Sequence, residues 1–129
     1  NMIVPKKVLI LITIFIVITI IVAICLTVNR EKFTENSAEL HYYSLSTCPH
    51  CLDFDPVWKQ FTKKTKNCHK YVVDKDEAGH AKAEQYNITS YPTIIVVKDD
   101  KPVEELNDRT CGAMRKMCKK HGIPCTVVC

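Results

Sequence analysis

The apolar and polar positions divide the chain into two very different parts. No charged residue occurs at 8–28, where Ile, Val and Leu dominate. As a helix, this run of about 21 residues spans about 31 Å, close to the ~30 Å hydrocarbon core of a bilayer. The apolar region of a signal peptide is shorter and ends at a small-residue cleavage site. The pattern therefore predicts an uncleaved transmembrane helix at 8–28 after a short N-terminal arm at 1–7.

The remaining chain has the pattern of alternating strands and helices. Residues 29–37 are polar and predict a tether. Runs of β-branched and aromatic residues then predict strands, and apolar residues spaced at i, i+3, i+4 and i+7 predict helices. The predicted strands are 40–45, 70–74, 93–97 and 103–106, and the predicted helices are 52–64, 77–86 and 109–121. We expect an α/β domain at 38–122, with a central mixed β-sheet flanked by helices, and a Cys-containing tail at 123–129.

The charge and the cysteine content reduce the range of possible functions. The chain has 18 Lys and Arg, and 16 remain without Lys6 and Lys7, against 14 Asp and Glu. These charges are scattered, so no nucleic-acid surface is predicted. The chain has eight cysteines, and all but Cys25 lie beyond the apolar run. This density is typical of an oxidising compartment, where disulfides persist.

The orientation in the membrane is predicted from the flanking charges. Two basic residues precede the apolar run, and Arg30 and Lys32 follow it. Acidic residues count little in the positive-inside rule, so the two sides balance. The very short N-terminal arm favours a cytosolic N-terminus. We expect a single-pass protein whose domain faces a lumen, a periplasm or the cell exterior.

The sequence Cys48-Pro49-His50-Cys51 carries the candidate chemistry. It lies where a predicted strand ends and a helix begins. Unpaired N–H groups and the helix dipole at that position stabilise a thiolate, and His50 adds positive charge when it is protonated. Pro49 suits a first helical turn, where its missing N–H costs nothing. The two-residue spacing lets Cys51 resolve a mixed disulfide formed at Cys48.

A metal site is the competing interpretation of this motif. A structural zinc site needs a second pair of ligands with similar spacing. Cys111 and Cys118 are seven residues apart, and Cys125 and Cys129 are four apart, so no second C-x-x-C exists. The spacing favours a redox pair, and we predict no resident metal.

The chain resembles the thioredoxin-like family at several separated points. Cys48-Pro49-His50-Cys51 looks like the active-site motif of that family, and Pro56 matches the proline in its active-site helix. Ser90-Tyr91-Pro92-Thr93 is similar to the loop whose cis-proline faces the dithiol, and Asp108-Arg109-Thr110 is similar to the segment before the last helix. The resemblance covers about 39–121.

The resemblance implies a thioredoxin-like fold and a role for each site residue. Cys48 would be the exposed nucleophile and Cys51 the buried resolving thiol. Pro92, in cis, and Tyr91 would shape a groove for an extended peptide. The family implies protein thiols and disulfides as substrates, an upstream redox partner and no cofactor beyond the Cys48–Cys51 disulfide. Pro49-His50 looks like the pair of bacterial periplasmic oxidases, which favours an oxidase or isomerase.

The sequence departs from the family pattern at two positions. Thr47 stands where members often have Trp, and Tyr42 stands where many have a buried Asp or Glu that moves protons at the resolving thiol. Proton transfer must then use water, His50 or another group. Asp53 and Asp55 follow the motif and would offset the positive field of His50. The loop Tyr91-Pro92-Thr93 looks more like that of thioredoxins than that of glutaredoxins, so glutathione binding is not predicted.

The sequence leaves two alternative functions open. The alternatives are a membrane-tethered protein that handles Cu(I) or Zn(II) through Cys48, Cys51 and His50 or tail thiols, and a tethered binding module with a structural dithiol.

Cys68 and Cys111 are expected as small core residues. At least one disulfide is expected to pin the tail to the last helix, and its candidate cysteines are Cys118, Cys125 and Cys129.

Overall fold

The computed structural model describes residues 3–31 and 37–129, which belong to two compact units, Asn1–Glu35 and Asn36–Cys129. In the first unit, helix α1 spans Lys6–Glu31. The helix includes the predicted span and also the first three residues of the predicted tether. The tether at 32–36 and the first two residues of the arm lie outside the described residues.

Helix α1 exposes apolar side chains on all sides. Ile10 is 56% exposed and Phe15 is 69% exposed. Within it, Lys6–Leu26 is long and apolar enough to cross a membrane, as judged from length and composition. A helix that is apolar all round needs an apolar environment to cover it.

The second unit has the predicted order β-α-β-α-β-β-α. Its elements are β1 (Glu39–Ser44), α2 (Pro49–Thr62), β2 (Cys68–Val72), α3 (Glu77–Gln85), β3 (Thr93–Lys98), β4 (Lys101–Glu105) and α4 (Cys111–His121). The strands form one sheet in the order β2-β1-β3-β4. Strand β1 pairs in parallel with β2 and antiparallel with β3, and β4 pairs antiparallel with β3. The predicted mixed sheet is thereby confirmed.

The turn between β3 and β4 is shorter than the gap between the predicted strands 93–97 and 103–106. Only Asp99 and Asp100 form it, with φ of 53° and 54°. This left-handed pair is the geometry that closes a two-residue hairpin. Pro102 lies inside β4, which is an edge strand, where a missing N–H interrupts no central ladder.

Alternation along the strands builds one apolar core on each face of the sheet. On one face, Leu40 and Tyr42 pack with residues of α2 and α4, including Trp58 and Met114. On the other face, Tyr43 packs with Ala83 of α3 and with residues of β3. Side chains of successive strand residues point to opposite faces, so one strand serves both cores.

The tail at 123–129 is part of the domain. Ile123 and Val127 are 3% and 7% exposed and join the core that contains α2 and α4. Backbone bonds tie the tail to the segment after α2: the N–H of Lys66 donates to the carbonyl of Pro124, and the N–H of Thr126 donates to the carbonyl of Lys64. The tail is therefore held alongside the segment after α2, with two of its side chains in the core.

Candidate active site

The two sulfurs of Cys48 and Cys51 are bonded to each other at the start of α2. Cys48 is the N-cap residue, and Pro49 occupies the first turn. The backbone N–H of Cys51 lies 3.2 Å from Cys48 Sγ, to which it donates. An N-cap side chain that accepts an N–H bond satisfies a donor that has no partner within the helix. The same bond stabilises negative charge on Cys48 when the disulfide is reduced.

The local sequence explains why the cysteines lie at this junction. Strand β1 ends at Ser44, and the N–H of Cys48 donates to the carbonyl of Leu45 at 3.3 Å, which closes a turn. The preceding loop is held by Asp74, whose carboxylate accepts bonds from the backbone N–H and the hydroxyl of Ser46. These bonds hold the pKa of Asp74 below its ordinary value. These hydrogen bonds fix the segment between β1 and α2, and with it the position of Cys48 at the start of the helix.

Burial distinguishes the two sulfurs. Cys48 is half-buried, whereas Cys51 is 1% exposed. His50 and Pro49 are exposed beside them. An incoming thiol can therefore reach Cys48 but not Cys51, which matches the roles of attacked sulfur and leaving sulfur.

The loop at 90–93 faces the dithiol. The Tyr91–Pro92 peptide bond is cis, and the carbonyl oxygen of Tyr91 lies 3.8 Å from Cys48 Sγ. The hydroxyl of Thr93 donates to the carbonyl of Ser90 at 2.7 Å, which holds the loop at the start of β3. Tyr91 and Pro92 are both half-buried, so part of each remains open to solvent beside Cys48.

Comparison with known proteins identifies the family. The family model described as Thioredoxin matches residues 25–120, well over half of the chain. The chain belongs to the thioredoxin family. With its paired cysteines at the helix start, this thioredoxin-family chain is a thiol–disulfide oxidoreductase.

Solved thioredoxin structures share this fold at low sequence identity. Oxidised thioredoxin from Plasmodium falciparum is 24% identical, with 67% of this chain and 83% of that chain covered and a TM-score of 0.52. Reduced thioredoxin pre-protein of Schistosoma mansoni is 24% identical, with 70% and 84% covered and a TM-score of 0.57. Fasciola hepatica thioredoxin is 21% identical, with 67% and 82% covered and a TM-score of 0.54.

Below the dithiol, this thioredoxin-family chain has a polar cluster that the sequence reasoning did not assemble. The hydroxyl of Tyr42 lies 2.9 Å from Asp55 Oδ1, to which it donates, and 3.2 Å from the carbonyl oxygen of Cys51. Lys70 Nζ pairs with the same Asp55 oxygen at 2.7 Å. Burial and the bond to Asp55 raise the pKa of Tyr42 well above its ordinary value, so it remains a neutral donor.

Asp55 is accessible to water. Its side chain is 32% exposed, and it lines a surface cavity of about 470 Å³ together with Lys70 and Leu52. Asp55 follows Cys51 by four residues on α2, a spacing that places two side chains on one helix face about 5–6 Å apart at Cβ. From the sequence, Asp55 was interpreted only as a charge that offsets His50; its i+4 spacing from Cys51 was the signal that could have placed it beside the resolving thiol.

The remaining cysteines agree with the sequence expectations only in part. The tail is bridged to α4 by Cys111–Cys129, so Cys111 is not a free core residue. Cys118 and Cys125, proposed as bridge partners, are free thiols, and so is Cys68. Cys111, in the first turn of α4, is partly exposed and bonded to the end of the tail, whereas Cys118 is completely buried.

These free thiols contrast with the dithiol. Burial raises the pKa of Cys68 to about 12, and the nearby Cys125 acts in the same direction. Burial likewise raises the pKa of Cys118 to about 12, with smaller effects of Cys68 and Cys125. A thiol with such a pKa has almost no thiolate at neutral pH, so neither Cys68 nor Cys118 competes as a nucleophile.

Proposed function

We propose that this chain is a membrane-anchored oxidoreductase that exchanges disulfides with protein thiols outside the cytosol. The observation that carries the proposal is the bond from the Cys51 N–H to Cys48 Sγ at 3.2 Å, in a sulfur pair with one accessible member. A backbone donor at a helix start needs no rearrangement to stabilise the thiolate that forms there.

The reaction follows from the burial of the two sulfurs. A substrate thiolate attacks Cys48 Sγ, the Cys48–Cys51 bond breaks, and Cys51 leaves as a thiolate that takes up a proton. A second substrate thiolate then attacks the mixed disulfide and releases Cys48 as a thiolate. The substrate dithiol becomes a disulfide, and the two electrons remain on the enzyme until an upstream oxidant removes them.

Asp55 supports proton transfer at Cys51. In the family pattern a carboxyl at the position of Tyr42 does this work; here the Tyr42 hydroxyl is bonded to Asp55 instead. Asp55 shares a helix face with Cys51 and lines a cavity open to solvent. A proton can pass between Cys51 and bulk water through Asp55, directly or by one bridging water.

Replacing Asp55 tests this role. Asp55→Asn keeps the shape of the side chain and removes its ability to carry a proton. We expect the oxidised variant to form the mixed disulfide at Cys48 more slowly than wild type across a pH profile, because the Cys51 thiolate that leaves in this step must take up a proton. Asp53→Asn is the matched control, because Asp53 is exposed on the same helix. Equal rates for wild type and Asp55→Asn across the profile would remove Asp55 from the mechanism.

The direction of exchange is proposed from the dipeptide Pro49-His50. A donor bond to Cys48 and a nearby His50 favour the reduced form, which makes the disulfide more oxidising. We expect a reduction potential nearer to the values of about −180 mV for protein disulfide isomerase and about −120 mV for the periplasmic oxidase than to about −270 mV for thioredoxin. A value near −270 mV, measured against glutathione, would make the chain a reductant.

The membrane location rests on α1 and on the Cys111–Cys129 disulfide. The apolar part of α1 has the length of a bilayer span. A disulfide that joins the tail to α4 persists where the compartment is oxidising. With the chain in sealed vesicles oriented cytosolic side out, we expect the domain to resist added protease until the vesicles are opened. Digestion in intact vesicles would reverse the proposed orientation.

Trapping of substrates tests the function as a whole. In Cys51→Ser, the Cys48 thiolate can still attack a protein disulfide and release the second substrate sulfur as a thiolate, but Cys51 cannot resolve the mixed disulfide that forms, so we expect covalent complexes with proteins that carry accessible disulfides. The control Cys48→Ser/Cys51→Ser should trap none, and Cys68→Ser should leave trapping unchanged, because burial raises the pKa of the Cys68 thiol to about 12. If Cys51→Ser captures no more protein than the double variant, the proposal fails.

A further inference from the structure

A second cluster of reactive side chains lies away from the dithiol. Glu39, His41 and His69 each offer one ligand atom, and these atoms all lie within 4.8 Å of one another. His41 Nε2 is 2.8 Å from Glu39 Oε2, and His69 Nε2 is 3.8 Å from the same oxygen. Two imidazoles and a carboxylate are the donors that divalent first-row transition ions prefer.

The sheet register brings these residues together. Glu39 and His41 are two positions apart on β1, so their side chains point to the same face. His41 is paired with His69 across the parallel β1–β2 ladder, and their rings meet at 5.4 Å in an edge arrangement. Hydrogen bonds keep the distance between these two strands nearly constant, so the three donor residues stay close together.

The surroundings of His41 suit an inner-sphere ligand. The side chain is completely buried, and its Nδ1 lies 3.0 Å from the Tyr43 hydroxyl. Without an ion, Nε2 carries the hydrogen and donates to Glu39 Oε2 at 2.8 Å. An ion at the site requires the other tautomer, in which Nδ1 donates to the Tyr43 hydroxyl and Nε2 offers its lone pair to the ion. Metal-bound histidines are normally oriented by such a bond from the second ring nitrogen.

The other two donor residues, Glu39 and His69, are open to solvent. Glu39 and His69 are 44% and 46% exposed, so an ion can enter from solvent and both side chains can move. Zinc bonds of about 2.0–2.2 Å in a tetrahedral site place neighbouring donors about 3.3 Å apart. The present separations of 2.8 and 3.8 Å bracket that value. Three protein ligands leave one coordination position for water.

We propose that Glu39, His41 and His69 bind one divalent transition ion, Zn²⁺ in the first instance, which links β2 to β1. From the spacing of the cysteines alone, no resident metal was predicted; the present site contains no cysteine. The site is separate from the dithiol: it lies at the start of β1, on the face that packs with α3, whereas α2 packs on the opposite face. It also uses none of the residues assigned to disulfide exchange.

Metal titration of the full chain in detergent tests the proposal. The oxidised protein, stripped with a chelator, is titrated with Zn²⁺ and with Co²⁺. We expect one ion per chain, no displacement by excess Mg²⁺ or Ca²⁺, and Co²⁺ absorption without a thiolate charge-transfer band. Such a band would assign binding to Cys68, Cys118 or Cys125 and overturn the proposal, as would the absence of stoichiometric binding.

Variants locate the site. His69→Gln and Glu39→Gln change exposed side chains and should each weaken Zn²⁺ binding at least about tenfold, and Tyr43→Phe, which removes only the outer bond to His41, should weaken it about 10–100-fold. His80→Gln is the matched control, since His80 lies on α3 and is 63% exposed. Equal affinity for His69→Gln and His80→Gln would refute the assignment.

Thermal unfolding gives a readout independent of affinity. Because an ion that binds only the folded state stabilises it, Zn²⁺ should raise the Tm of wild type and not that of His69→Gln. Substrate trapping by Cys51→Ser should be the same with and without the added His69→Gln change. Loss of trapping with intact Zn²⁺ binding would contradict the proposed function alone, and the reverse result would contradict the metal site alone.

Discussion

Removing the bridge between the tail and α4 should destabilise the domain by about 3 kcal/mol. The perturbation is the double variant Cys111→Ser/Cys129→Ser, which leaves no unpaired thiol from this bridge to exchange with Cys118 or Cys125. The bridged residues are 18 positions apart. In the chain-entropy description, closing a loop of that size lowers the entropy of the unfolded chain by about 11 cal/mol/K, which is about 3 kcal/mol at 25 °C.

The folded state of this variant should change little. Ile123 and Val127 lie between the bridged residues and are both buried, so apolar contacts hold the tail in place without the bridge. The loss therefore comes mainly from the greater freedom of the unfolded chain. A domain that works in an oxidising compartment retains this stabilisation, whereas a reducing compartment would remove it.

Urea unfolding measures the effect directly. The chain has one tryptophan, Trp58, which is 5% exposed and so reports unfolding of the domain by fluorescence. With a slope of about 1–3 kcal/mol/M, a loss of 3 kcal/mol lowers the midpoint by about 1–3 M. Cys125→Ser is the matched control, because it changes a tail thiol that is not bridged. A loss below about 1 kcal/mol, or one equal to that of Cys125→Ser, would refute the reasoning.

Three further outcomes follow from the packing and the surface charges. A Cβ at Gly79 would lie 2.9 Å from a β2 side chain, so Gly79→Ala should cost about 1–3 kcal/mol in urea unfolding. A Cβ at Gly112 meets nothing within 4 Å, so Gly112→Ala in α4 should stabilise by up to about 1 kcal/mol in the same assay; destabilisation would contradict this. Hydrogen bonds from Lys120 and His121 hold the pKa of Glu104 below its ordinary value. Because the folded state then binds fewer protons at this carboxyl, the stabilisation is present above the unfolded pKa of about 4.3 and is lost as the pH falls through the folded pKa. The difference in urea midpoint between wild type and Glu104→Gln should therefore shrink between about pH 5 and pH 3, and a constant difference would exclude the linkage.

The order of elements and the position of the dithiol could be predicted from the sequence because both depend on near neighbours along the chain. Apolar spacing within α2 and the unbroken apolar run of β3 are patterns over a few residues, and they determine type and order well. Pro102 lies outside the predicted strand 103–106, but in the structure it pairs with Val97 and belongs to the edge strand β4.

The partners of individual side chains depended on tertiary structure. Cys129 bridges Cys111 in the first turn of α4, whereas Cys118 is buried beside Cys125 and is not bridged. Asp55 meets Tyr42 only because α2 packs on β1, and no local pattern links positions 13 residues apart.

The amino-acid sequence by itself determined the apolar helix, the alternation of strands and helices, and a reactive cysteine pair at a helix start. Only the tertiary structure decided which distant groups share a site: the Tyr42–Asp55–Lys70 cluster, the Cys111–Cys129 bridge and the donors at Glu39, His41 and His69. The physical reason is the distance along the chain over which each kind of interaction acts. Periodicity and capping act over three or four residues, whereas strand register and helix packing join residues far apart in the chain, and these follow from the whole core.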